Sequence, residues 1–236
     1  MTDARRLVVN ADDLGFSVGV NAGIVRAHAE GIVTSASLMV RAPAAEHAVA
    51  AAAAHPRLAL GLHFDVAELV CADGEWRTAY EHVDAADAAA VAAELESQLN
   101  RFRELTGRAP THLDSHQHVH RKEPVRSIMG VRARELRLPL RHHGRVRYRG
   151  DFYGQGRAGA PLPEAITAAA LTRIVERLPD AITELCCHPA ATAPPGAGYG
   201  AERVRELAAL CDADVRVAVE RAGVRLCTFA VALAGI

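Results

Sequence analysis

Two adjacent carboxylates, Asp12 and Asp13, close the apolar run RLVV-NADD near the start of the chain. Placing two like charges side by side behind apolar residues raises one pKa, and burial penalises both, so the pair needs a compensating partner. A divalent cation is the natural one. One carboxylate then binds the ion while its neighbour stays free as a general base toward a water whose pKa zinc lowers from roughly 15.7 to about 7. The competing reading of the pair is a helix N-cap signal ahead of Ser17.

The chain has 12 histidines, and their placement is uneven: His112, His116, His118 and His120 crowd one segment, THLDSHQHVH, together with Asp114, while His63 closes the apolar run LALGLHF and is followed shortly by Asp65. Side chains alternate along an extended strand, so residues 112 to 120 at even positions share a face for as long as extension persists. Two imidazoles and a carboxylate suit zinc and other divalent ions, leaving a coordination position open for water or substrate. His116 and His63 fit that role, with Asp114 and Asp65 beside them to orient a ligand or substrate. His118 and His120 read as loop surface and His112 as a hydrogen-bonded strand residue. His188 stands between Cys187 and Pro189, where the chain must leave its strand, and so presents an imidazole suited to general acid work. Arg137, late in ELRLPL, is placed to orient the free carboxylate, to bind substrate, or to form a buried salt bridge.

These residues need a scaffold that brings distant segments to one rim. Short apolar runs alternate with helical stretches along the whole chain, and the pattern gives about seven strands. RLVVNADD, IVTSASLMV, LALGLHF, THLDSH, ELRLPL, AITELCCHP and VRLCTFA read as strands. Helices are expected from about Ser17 to Glu30, after Pro43, from Ala85 to Leu105, from Pro124 to Glu135, up to Leu178, and from Ala201 to Ala222. Strands alternating with helices imply parallel pairing with right-handed crossovers and chemistry at the strand C-terminal ends. Asp12 and Asp13, His63 and Asp65, Asp114 and His116, Arg137, and His188 all fall at such ends. The stretches 66–82 and 141–161 read as loops decorating the rim. The expected architecture is one α/β domain over residues 1–236 with a mostly parallel sheet, closed as a barrel or open.

Bulk properties narrow the function classes. The formal net charge is −1, with both signs scattered, which excludes the one-sided basic field that nucleic acid requires. No apolar run reaches membrane-spanning length and the N-terminus lacks a signal-peptide pattern, so a cytoplasmic protein is expected. The five cysteines are odd in number and contain no C-x-x-C, arguing against disulfides or a thiolate zinc site.

At these residues the chain resembles the YdjC-like carbohydrate deacetylases, the group that includes the chitooligosaccharide deacetylases and the hopanoid-associated deacetylases. VNADDLG (9–15), GIVTSASLMV (31–40), GLHF (61–64), THLDSHQHVH (111–120), RLP (137–139), ELCCHPA (184–190) and the YGAERVRELAALCD stretch carry the likeness nearly end to end. The resemblance implies a distorted TIM-like barrel and hydrolysis of an acetamido group on an amino sugar, short oligosaccharide or glycolipid. It further implies one divalent ion, zinc foremost with magnesium or another ion as alternatives, held by Asp13, His63 and His116. Asp12 becomes the base and His188 the acid, and a homodimer is the family expectation. Leu14 stands where the family commonly has Phe, Gln117 where His is frequent, and Ala190 where Gly is usual. Alternatives at this stage are another metal-dependent barrel hydrolase, a phosphoesterase or amidohydrolase, and a sugar-binding module without activity.

Overall fold

A computed structural model of the chain describes residues 5–72, 74–156, 159–194 and 196–233. Its centre is β1 (Arg6–Leu14), buried from Leu7 onward. Cover on both faces is what lets an apolar strand run without polar alternation in a parallel sheet. β2 (Ser35–Leu38) and β8 (Ile182–Cys187) pair with it, and β3 (Ala59–Phe64), β6 (Leu113–Ser115) and β7 (Arg147–Arg149) extend the sheet in the order β6-β3-β2-β1-β8-β7. β9 (Arg225–Leu226) pairs with the first two residues of β1, while β2 joins β1 from Asn10 onward. Every ladder in this seven-stranded sheet is parallel, and the sheet curls into a half-barrel backed by helices, the α/β architecture expected.

The helices begin and end where local chemistry dictates. Ser17 caps α1 (Val18–Ala29) by accepting from the Val20 amide, and Asp87 caps α3 (Ala88–Thr106) by accepting from two amides, with Gly107 at φ 68° closing the far end. Gly15, at φ 101°, makes the turn between β1 and α1; a Cβ there would sit 2.9 Å from the Met39 carbonyl oxygen. α1 and α2 (Ala45–Ala53) bury alanines against the sheet and against each other, which permits close approach.

Several expectations are corrected. ELRLPL is not a strand. α4 (Val125–Leu136) runs into it, Arg137 caps that helix in the left-handed region at φ 55°, and Leu140 alone bridges to Leu113. Helix-favouring Glu135 and Leu136 extend α4, and Pro139 has no N–H to give a ladder. The strand flanking β8 is instead β7, inside the stretch read as a loop. The other such stretch holds an antiparallel hairpin, β4 (Ala67–Ala72) and β5 (Glu75–Glu81), whose exposed positions hide it from a search for apolar runs. α5 spans Ala168–Glu176. The helix expected over 201–222 is two, α6 (Ala201–Leu210) and α7 (Ala213–Arg221), because the Asp212 carboxylate caps the second by accepting from the Asp214 amide. β9 is followed by a short α8 (Phe229–Leu233). The cysteines form no disulfide, and no helix among the described residues is long and apolar enough to cross a membrane.

Candidate metal and catalytic centre

Adjacent strand residues ordinarily point to opposite faces, yet Asp12 and Asp13 both line one cavity of about 540 Å³ at the C-terminal ends of the strands. A register shift in the β1–β2 ladder between Ala11 and Leu14, with Asp13 at φ 65°, turns the second carboxylate inward. Such bulges re-aim side chains at the cost of local strain.

The sheet register assembles the partners. β3 and β6 pair so that His63 and Asp114 are direct neighbours, and the His63 Nδ1–H donates to Asp114 Oδ1 at 2.7 Å. Ser37, on β2, donates its hydroxyl to Asp114 Oδ2 at 2.6 Å. With its Nδ1 proton committed, a neutral His63 ring presents the Nε2 lone pair to Asp13 Oδ1, 3.3 Å away. His116 brings Nδ1 to within 3.2 Å of the same oxygen, while its Nε2 is buried with no hydrogen-bond partner among the described residues. Lone pairs converging on an anionic oxygen require a proton or a cation between them. Ligand atoms about 2.1 Å from a tetrahedral ion lie roughly 3.4 Å apart, so these separations and this donor set fit a zinc-like ion.

The two carboxylates have different custodians. Asp12 is held by Arg141 in a bidentate pair, Nη1–Oδ2 2.6 Å and Nη2–Oδ1 2.7 Å, and Asn10 donates to it at 2.8 Å. Arg141 also contacts Asp114 at 2.9 Å and Glu184 at 2.7 Å. Asp13 takes Arg203 Nη2 on Oδ2 at 2.6 Å. Burial pushes both aspartates up, but the guanidiniums and the adjoining imidazoles outweigh it and hold both below the usual carboxylate range. Burial raises Glu184 to about 7 and Glu206 to about 8, and in neither does the nearby arginine fully compensate. The Asp114 and Asp12 charges raise His63 despite the opposing effect of its burial.

His188 follows β8 and leaves the ladder at Pro189. It is 19% exposed, its Nε2 lies 4.0 Å from Asp12 Oδ2 and its Nδ1 3.9 Å from Glu206. Burial depresses the ring to about 4, so it is neutral near pH 7. Its backbone N–H donates to Glu206, which also accepts from the Tyr199 hydroxyl.

Of the residues singled out from sequence, Asp12, Asp13, His63, His116 and His188 share this cavity, and Asp114 sits directly behind His63. Asp65 is anchored elsewhere: it accepts from Tyr80 at 2.7 Å and faces His82 at 3.3 Å beneath the hairpin. Arg137 is exposed at the α4 cap and does not enter the site; the buried guanidiniums there are those of Arg141 and Arg203. Extension past β6 ends at Ser115, where a 3-10 turn over His116–Arg121 with Gln117 and His118 at positive φ breaks the shared face. His112 therefore does not join His116; it is buried between Ser37 and Thr111, with its ring stacked on Phe229. His120, read as surface, is fully buried. Arg141, Arg203, Glu184 and Glu206 were missed, since nothing local distinguishes one arginine from its neighbours. The usable signal is that Glu184 opens the ELCCHPA stretch and that Arg203 and Glu206 fall inside YGAERVRELAALCD; Arg141 lies in none of the quoted stretches.

The profile of the YdjC-like protein family matches residues 6–221. The chain belongs to the YdjC-like family. A carbohydrate deacetylase from Geobacillus stearothermophilus is 38% identical, covering 95% of this chain and 97% of its own length. A chitooligosaccharide deacetylase from Klebsiella pneumoniae is 32% identical, covering 95% and 98%. Among solved structures, an Enterococcus faecalis protein named for cellobiose-phosphate cleavage superimposes with a TM-score of 0.77 at 24% identity, over 98% of this chain and all of that one. A family 4 carbohydrate esterase from Streptomyces lividans does so with 0.55 at 12% identity, over 97% and 93%. At such identities the two structures establish a shared fold for this YdjC-like chain.

Proposed function

We propose that the chain is a divalent-metal-dependent hydrolase that removes the acetyl group from an N-acetylated amino sugar, short oligosaccharide or glycolipid head group. The observation that carries it is the convergence of His63 Nε2 and His116 Nδ1 on Asp13 Oδ1 beside a second carboxylate, Asp12, that has its own cation partner. The names of the two bacterial relatives support the acetamido substrate. Imidazole and carboxylate donors favour zinc, with magnesium or another divalent ion as the alternative. When bound, the ion supplies Lewis acidity to the acetyl carbonyl and acidifies water.

The chain's own groups do the rest. Arg141 keeps Asp12 ionised, so its carboxylate is available to accept a proton from the attacking water. A carboxylate held this low retains a proton poorly. The proton passes to His188, neutral at rest and 4.0 Å from Asp12, and from there to the leaving amine nitrogen. Asp114 fixes the His63 ring, and Arg203 steadies Asp13 from the side away from the histidines. Tyr153 stacks on Tyr199 at 4.4 Å, and both line the cavity with the exposed Trp76, offering flat apolar faces to a sugar ring.

The test is acetate release from N-acetylglucosamine and its short β-linked oligomers by zinc-loaded protein, alongside phosphate release from phosphate esters. Acetate is expected, abolished by chelator and restored by metal. Phosphate without acetate, or no turnover of any acetylated sugar by metal-replete protein, overturns the reading.

A further inference from the structure

A second histidine cluster sits beside the Asp13–His63–His116 group and shares no donor with it. His118 and His120 follow β6, and His142 comes from the loop leading to β7; one ring nitrogen from each lies within 4.8 Å of those of the other two. We infer that His118, His120 and His142 form a second divalent-metal site, selective for imidazole-preferring ions such as zinc or cobalt, that ties these two segments together along one wall of the cavity.

Hydrogen bonding within the cluster points to a ligand. His120 is fully buried, and its Nδ1 is engaged by Ser115 Oγ at 2.5 Å. Its Nε2 is buried with no hydrogen-bond partner among the described residues. His118 repeats the pattern: Nε2 meets the Tyr148 hydroxyl at 3.1 Å, and Nδ1 is buried and unpartnered. One nitrogen fixed by a neighbouring polar group and the other left free is the arrangement by which proteins orient metal-ligating histidines. An unsatisfied buried polar nitrogen is costly, and two of them in one cluster call for a ligand.

The backbone points the same way. His118 and His142 both occupy the left-handed region, at φ 53° and 63°, as does Gln117 at 48°. Non-glycine residues hold this conformation at a cost that surrounding interactions must offset. The rings lie 5.3 to 6.0 Å apart between centroids, close enough for small side-chain rotations to bring three nitrogens onto one ion. Three imidazoles leave a fourth tetrahedral position open. Because His118 and Tyr148 line the cavity, an ion here would fix the wall they form. The other grouping nearby, Asp12 with Cys186 and His188, belongs to the site already described.

Metal-free protein titrated with cobalt(II) chloride tests the site through visible d–d absorption and bound stoichiometry, independently of turnover. Two equivalents per chain are expected. His142→Ala removes an exposed side chain and should lower the count by one; His118→Gln should do the same, both with an unchanged far-UV circular dichroism spectrum. His63→Ala should remove the other equivalent and keep the one that His142→Ala abolishes. Cobalt uptake and spectrum unchanged in natively folded His142→Ala or His118→Gln overturn the proposal, leaving the three rings an aromatic cluster around Tyr148. Loss confined to His63→Ala speaks for the deacetylase centre alone, so the two readings fail separately.

Discussion

At and just beneath the floor of the cavity, on β1, β6 and β8, Asp12, Asp13, Asp114 and Glu184 are all 3% exposed or less, and each meets a buried arginine. The hairpin of β4 and β5 contributes Glu68, Leu69 and Trp76 to the same cavity, but Trp76 is 62% exposed and the Arg77–Glu75 pair beside it stands in solvent. Floor residues are held by charge pairs that are costly to break, because removing one partner strands the other in a medium that solvates it poorly. Hairpin residues are held by a few anchors, the Tyr80–Asp65 bond and the exchange between Gln117 and the Leu69 backbone. Under the proposed function, the reacting groups sit on the buried, charge-paired side and the sugar-facing Trp76 on the exposed one.

The contrast is broken most severely at Asp12. Asp12→Asn keeps shape and one acceptor for Arg141 but removes the base; turnover should fall by about 10²–10⁴ while metal content, measured by elemental analysis, stays at the wild-type level. Metal lost along with activity would transfer Asp12 to the ligand set. Next comes Arg203→Met, which takes the guanidinium from buried Asp13 and leaves that carboxylate facing only the His63 and His116 rings. Denaturant melts of metal-free protein should show a loss of about 3–5 kcal/mol. Arg77→Ala on the hairpin should cost roughly 0–1 kcal/mol in the same assay. Equal losses at the two arginines would erase the distinction.

Acid sharpens it further. Burial holds His112 at about 4 against 6.5 for a free ring, so as pH falls from 6.5 the unfolded chain takes up a proton that the folded chain refuses. Stability should therefore decline between pH 6.5 and 4, by up to about 1.4 kcal/mol per unit for this one group. His112→Gln should flatten that decline, and an unaltered slope would show that His112 does not contribute. The smallest effect is expected at Trp76→Ala: a KM raised roughly 2–10-fold with kcat and melting temperature nearly unchanged, as suits one aromatic face lost from an exposed wall. A fall in kcat instead would mean the hairpin positions the reacting group.

Much of this architecture is legible in residue order. Alternation of apolar runs with helical stretches yields the parallel sheet, and polar residues interrupting those runs at their ends mark the rim. Asp12, Asp13, His63, His116 and His188 could be chosen because each breaks an apolar pattern at such an end. Where side chains give no such interruption the reading fails: the hairpin has little apolar periodicity, β7 is three residues long, and ELRLPL fits helix and strand templates equally until Pro139 is weighed.

Residue type and local spacing by themselves determined which chemistry the chain can support, because donor atoms and strand ends are local properties. Tertiary structure alone decided who neutralises whom. Arg141 reaches Asp12 across 129 positions and Arg203 reaches Asp13 across 190, while Arg137, a few residues from the first of these, points into water. The bulge that turns Asp13 inward and the register that sets His63 against Asp114 are of the same kind. Periodicity reports how a segment meets the core, but it carries no information about which distant segment stands on the other side.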